Sequence, residues 1–115
     1  MPEIVTVYAT FGSEEEARYV ARTLVEEGLA ACANILAPCR SIYRWQGEVE
    51  EADEIPVLFK TAAAGADDLL ARLAALHSYD VPAAVLWPIA DALASYRRWV
   101  LDETSADEPP PADTP

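Results

Sequence analysis

The chain has 115 residues, 52% of them apolar and 24% charged, a balance that excludes general disorder and a two-domain enzyme and fits one domain with its own core. Twenty acids against eight bases give a formal charge of −12, which repels nucleic-acid phosphates and anionic membranes and draws cations and basic partners. No basic segment leads into a long apolar run near Met1, so neither a signal peptide nor a membrane span is expected.

Residues 4–10 combine β-branched and aromatic side chains and predict a first strand, buried in part or throughout. Phe11-Gly12 breaks that pattern. Ser13 and Glu16 have the spacing of a capping box, in which hydroxyl and carboxylate satisfy otherwise orphaned amides, so a helix starts near Glu14. Ala17, Val20, Ala21 and Leu24 form its apolar stripe, and Gly28 is its stop. The alanine-rich stretch after Leu29 reads as a turn into a strand from about Ala31, interrupted at Pro38. Residues 41–45 resume strand chemistry, Gln46-Gly47 supplies a hairpin turn, and residues 55–59 return. Five acids lie in residues 48–54, so this hairpin projects as an arm. Pro56, lacking an amide donor, belongs at a sheet edge or bulge.

Asp67 or its polar neighbours open a second helix with Leu69, Leu70, Leu73 and Leu76 on its buried side. The run from His77 to Pro82 reads as a loop, and residues 83–87 as a final core strand ended by Pro88. Asp91 is placed to cap a third helix on which Tyr96 and Trp99 share a face with Leu93 and Val100. The order βαββαβα predicts an α+β sandwich of ferredoxin-like topology, with helices covering one sheet face. Closure into an oligomer would cover the other face and the arm. Residues 1–101 form this domain. Residues 102–115 carry five acids, no bases and four prolines, and predict an acidic, proline-rich disordered tail, without which the charge is still −7.

His77, Tyr79 and Asp80 bring imidazole, phenol and carboxylate into one loop, where they can line a pocket, hold a metal, or simply fix the loop by hydrogen bonds. Cys32 and Cys39 fit neither a CxxC motif nor a disulfide framework, which predicts a reduced, cytoplasmic protein. Cys32 can act as a soft metal ligand if the fold brings it to His77, or as a packed thiol. His77 is the single histidine, so a dedicated structural zinc site is not expected. Glu54 borders the apolar return strand and is the pocket candidate among the arm's acids. Lys60 offers a cation to an anionic ligand or a neighbouring acid. Trp45, Trp87 and Trp99 suit core or subunit-interface packing. No glycine-rich phosphate loop or serine-nucleophile elbow occurs, and a water-activating His77 lacks a placed nucleophile, so enzymatic activity is not expected.

Ala30-Ala31-Cys32-Ala33-Asn34-Ile35, the run from Ser41 to Gly47, Lys60-Thr61, the run from His77 to Pro82 and Tyr96-Arg97-Arg98-Trp99 occur in this order. Together they closely resemble the divalent-cation tolerance protein CutA family over nearly all of residues 4–101. The resemblance implies a ferredoxin-like fold closed as a homotrimer, with long hairpins helping to join subunits. It also implies an intersubunit pocket near Cys32, Tyr43, Trp45, Glu54, Lys60, His77 and Tyr79. Copper or another divalent cation, weakly bound, would take His77 as main ligand, with Cys32, Glu54 and Asp80 as contributors. The alternative it leaves open is a small-molecule-sensing or protein-anchoring trimer in which the same residues maintain the pocket. The chain departs from the family's common His-Pro-Tyr-Glu pattern at Ser78 and Asp80, has Ala83 at an often acidic position, and has Ala92-Leu93 in place of a frequent Gly-Asn pair.

Overall fold

The computed structural model describes residues 2–104. Strand β1 (Ile4–Phe11) extends one residue past its predicted end, and all its residues except Tyr8 are buried, because it is a central strand. Helix α1 (Glu14–Glu26) follows at once, with Ser13 Oγ accepting the Glu16 amide at 3.1 Å and Ala17, Val20, Ala21 and Leu24 buried as predicted. It ends at Gly28, whose φ of 76° suits glycine; the Leu29 amide donates to Leu24 O and the Gly28 amide to Val25 O, which closes a Schellman motif.

The next segment holds two strands, β2 (Cys32–Ile35) and β3 (Cys39–Trp45), one more than the predicted order contained. Residues 36–38 separate them. The Gln46-Gly47 turn has positive φ at both residues, 51° and 84°, the signature of a type I′ hairpin whose twist matches its strands. Strand β4 (Glu48–Ala62) is much longer than predicted. Its first seven residues pair with β3 to make the arm, and the rest pairs with β1 and, on its other side, β2. Pro56 lies where β4 leaves β3 and has not yet met β2. Its carbonyl accepts the Leu36 amide at 2.9 Å, so its missing donor faces that gap and costs no ladder bond.

A 3-10 turn (Ala63–Gly65) leads into α2 (Ala66–Leu76), which begins one residue before Asp67. Leu69 and Leu73 are fully buried, with Leu70 and Leu76 packed at the margin. Strand β5 (Ala84–Pro88) pairs with β1 alone and is an edge strand rather than the predicted core strand; Val85 and Trp87 remain 46% and 48% exposed. Helix α3 (Ala94–Glu103) starts after Leu93, and Asp91 does not cap it: the Asp91 carboxylate takes the Ala92 amide instead. Leu93 stands 78% exposed, off the face that Val100 buries. Asp102 and Glu103, assigned above to the tail, belong to this helix, and the tail beyond residue 104 lies outside the described residues.

The result is a mixed α/β, ferredoxin-like fold on a five-stranded sheet, in the order β2-β4-β1-β5 with β3 extending β4. Val7, Ala9, Phe11, Val57 and Phe59 face α1 and α2 in the main core, where each fully buried large side chain contributes about 2 kcal/mol. Alternation turns Ile4 to the opposite face, and there it packs with Ala31 and Val100 under α3. The helices therefore do not all lie on one face. α3 covers one end of the second face, and the rest of that face runs on into the arm.

Candidate functional site

Where the arm leaves the sheet, the second face bends into a groove of about 740 Å³. Even-numbered residues of β4 share one face, so Glu50 and Glu54 on the arm continue the surface on which Tyr8 and Thr10 of β1 lie. Tyr43 is opposite Glu50 in the β3–β4 register, and Trp45 lies nearer the turn. The 77–80 loop supplies the remaining wall through Tyr79 and Asp80, and Arg44 lines the groove with them. Five of the sequence-predicted residues thus meet in one place: Tyr43, Trp45, Glu54, Tyr79 and Asp80.

The Tyr79 hydroxyl donates to Glu54 Oε2 at 3.0 Å and ties the loop to the arm. Burial and this carboxylate, with the Glu16 charge behind it, push the Tyr79 phenol up to about 12. Tyr43 is raised by desolvation and by Glu50, and Tyr8 by desolvation and the charges of Cys39 and Glu54. Near neutral pH the phenols are therefore neutral, with Glu54 beside them. Gly12 lies at the back of Tyr79, where a Cβ would come to 3.1 Å from the hydroxyl oxygen and the ring would have to give by a few tenths of an ångström.

His77 sits behind the groove rather than in it. It is 8% exposed, its ring stacks on Phe11 with centroids 4.6 Å apart, and Tyr79 packs on it at the same distance. The Tyr79 amide donates to Nδ1 at 3.1 Å, which leaves the proton on Nε2 to be donated to Thr10 O at 2.7 Å. Both ring nitrogens are thereby engaged within the chain. Glu16, which the capping-box spacing would turn back to its own helix, reaches Ser78 instead, accepting its amide at 2.8 Å and its hydroxyl at 3.0 Å.

Cys32 and Lys60 lie elsewhere. Cys32 Sγ is 3.5 Å from the Tyr96 hydroxyl beneath α3, where burial and the thiol push this phenol also up to about 12. Lys60 pairs with Cys32 in register and donates to the Asn34 side-chain oxygen at 3.0 Å, not to an acid. A copper or other divalent cation held by His77, Cys32, Glu54 and Asp80 does not fit one chain: among the described residues no three His, Cys, Asp or Glu side chains are grouped to hold a metal. His77 has no free nitrogen, and the Cys32 thiol is at the other end of the face. Sequence reasoning missed Tyr8, Thr10, Glu16, Arg44 and Glu50; the alternation of β1 and of the arm could have found the first two and the last.

The fold and groove define a class: a small α+β domain with helices on both sheet faces, a projecting arm, and a cleft where the arm meets the open part of the second face. Its sequence matches the family described as CutA1 divalent ion tolerance protein over residues 5–103. The Divalent-cation tolerance protein CutA of Thermus thermophilus is 47% identical over 104 residues, spanning 90% of this chain and 99% of the relative. That of Pyrococcus horikoshii is 39% identical over 101 residues, spanning 88% and 98%. The solved structure of the divalent cation tolerance protein from Thermus thermophilus aligns with a TM-score of 0.85 at 46% identity, over 88% of this chain and 98% of that one. The chain belongs to the CutA1 divalent ion tolerance family.

Proposed function

We propose that this chain serves divalent-cation tolerance as a non-catalytic binding and regulatory protein, assembled as a homotrimer, whose ligand seat is the groove at the root of the arm. The observation that carries this reading is the convergence of Tyr43, Trp45, Glu54, Tyr79 and Asp80 on one cleft from three separate parts of the chain. Such a cleft, with aromatic walls and a few fixed polar groups, is what small-ligand sites are built from. The groove favours the sensing variant of the function over one that works through a metal cage within a single chain. Any weak copper binding then involves groups from more than one chain or the surface carboxylates. Two free thiols, Cys32 and Cys39, support placement in a reducing compartment such as the cytoplasm, and among the described residues no helix is long and apolar enough to cross a membrane.

Assembly is supported by apolar surface that one chain leaves open. Ile42 and Val49, on the arm face opposite Tyr43, are 65% and 63% exposed, and the β5 edge presents Val85 and Trp87. Sedimentation of the full chain is expected to give the mass of three copies. Ile42→Asp with Val49→Asp is expected to shift that mass toward one copy while the far-ultraviolet spectrum stays unchanged. A monomeric wild-type chain at micromolar concentration would overturn the assembly. A copper titration retaining its affinity in His77→Ala and Cys32→Ala is the expected companion result; loss of a defined site in both would restore those two side chains as ligands.

A further inference from the structure

The charges in the groove are arranged for one kind of ligand, and we infer that the groove takes a small organic cation, an ammonium group on an apolar body, seated against the Tyr43, Trp45 and Tyr79 rings and neutralised by Glu54. This rests on reading the groove as the ligand seat and names the chemistry of what fills it.

The two faces of the arm treat their acids differently. On the outer face Glu51 and Asp53 share the Arg40 guanidinium, at 3.3 and 2.8 Å. On the groove face Glu50, Glu54 and Asp80 are in no ion pair with Lys or Arg among the described residues. The base that lines the groove, Arg44, donates to Gly47 O in the turn. Negative charge gathered in a concave wall draws cations and repels anions.

The walls then select among cations. A bare divalent ion requires several ligating oxygens, nitrogens or thiolates around one point, and no such group is assembled among the described residues. The phenols are poor substitutes, since Tyr79 keeps its proton to about 12. Aromatic faces do, however, attract an alkylammonium through their quadrupoles while burying its methyl groups. Tyr79 holds Glu54 in place by its hydroxyl, so the carboxylate is oriented before a ligand arrives. In one chain the groove offers about 740 Å³, room for a molecule of this class.

The test uses choline and its uncharged carbon isostere, in which a tert-butyl group replaces the trimethylammonium. Choline, the isostere and, as an anion, acetate are each titrated into the full-length protein while the Trp45 indole N–H is followed by nitrogen-edited nuclear magnetic resonance. Choline is expected to give saturable shifts and to bind at least about tenfold more tightly than the isostere. Glu54→Gln is expected to weaken choline by about tenfold with sedimentation mass unchanged, and Glu51→Gln, on the outer face, to leave it unaltered. Equal affinity for choline and isostere, or an unchanged affinity in Glu54→Gln, overturns the cationic ligand while leaving the groove as a site. Absence of any shift at Trp45 with choline, isostere and acetate alike overturns both the cation and the groove.

Discussion

Replacing His77 with alanine is expected to destabilise the folded chain by about 3 kcal/mol. The magnitude follows from what the ring touches. Its hydrogen bonds to Thr10 O and from the Tyr79 amide each contribute about 1 kcal/mol net, and the alanine variant leaves a buried carbonyl and an amide without partners. Loss of ring contact with Phe11 and Tyr79, together with the space left behind, removes about 1 kcal/mol more. His77→Gln, which can again donate toward Thr10, is expected to recover about 1 kcal/mol. Urea unfolding followed by tryptophan fluorescence measures these differences, at one fixed protomer concentration because assembly couples stability to concentration. A loss below about 1 kcal/mol in His77→Ala, with the Tyr79 phenol titrating as before, would refute the view that this imidazole bolts the loop to β1.

Two further outcomes follow from the same region. Unfolded, each tyrosine releases its proton near 10.0, whereas Tyr79 and Tyr96 hold theirs to about 12 in the folded chain. Unfolding therefore releases protons between those values, and stability is expected to fall as pH rises through that window. Phenolate absorbance should show Tyr79 titrating lower in Glu54→Gln; no change there would remove Glu54 as a cause. Glu16→Ala is expected to cost about 2 kcal/mol, because its carboxylate holds both the amide and the hydroxyl of Ser78, whereas Ser78→Ala loses only the second bond and about 1 kcal/mol. Equal costs for the two variants in urea unfolding would contradict that division.

Local patterns were legible wherever a single rule governed the outcome. The α1 stripe, its Ser13 cap and the Gly28 stop follow from helical period and backbone sterics alone, and all three are found. Asp91 failed as a cap because its carboxylate takes the neighbouring Ala92 amide and lies 3.8 Å from the Arg97 guanidinium, while α3 starts only after Leu93. β5 has the composition of a core strand but lies at an edge, since composition reports what a strand can bury and not whether its neighbour is present in the same chain. The groove was half legible. Of the residues named from the sequence, Tyr43, Trp45, Glu54, Tyr79 and Asp80 line it, and Cys32, Lys60 and His77 do not join them within one chain. Glu16 was hidden by its own motif: its spacing announced a capping box, and only the approach of the Ser78 loop gave its carboxylate a better partner.

β4 is one unbroken rod of fifteen residues, about 50 Å of extended backbone in a molecule whose longest dimension is 56 Å. One end is clamped between β1 and β2 and the other carries the hairpin tip, with no flexible joint between. The tip's distance and bearing from the body therefore follow from the register of β4 against β1, through continuous strand pairing from root to tip.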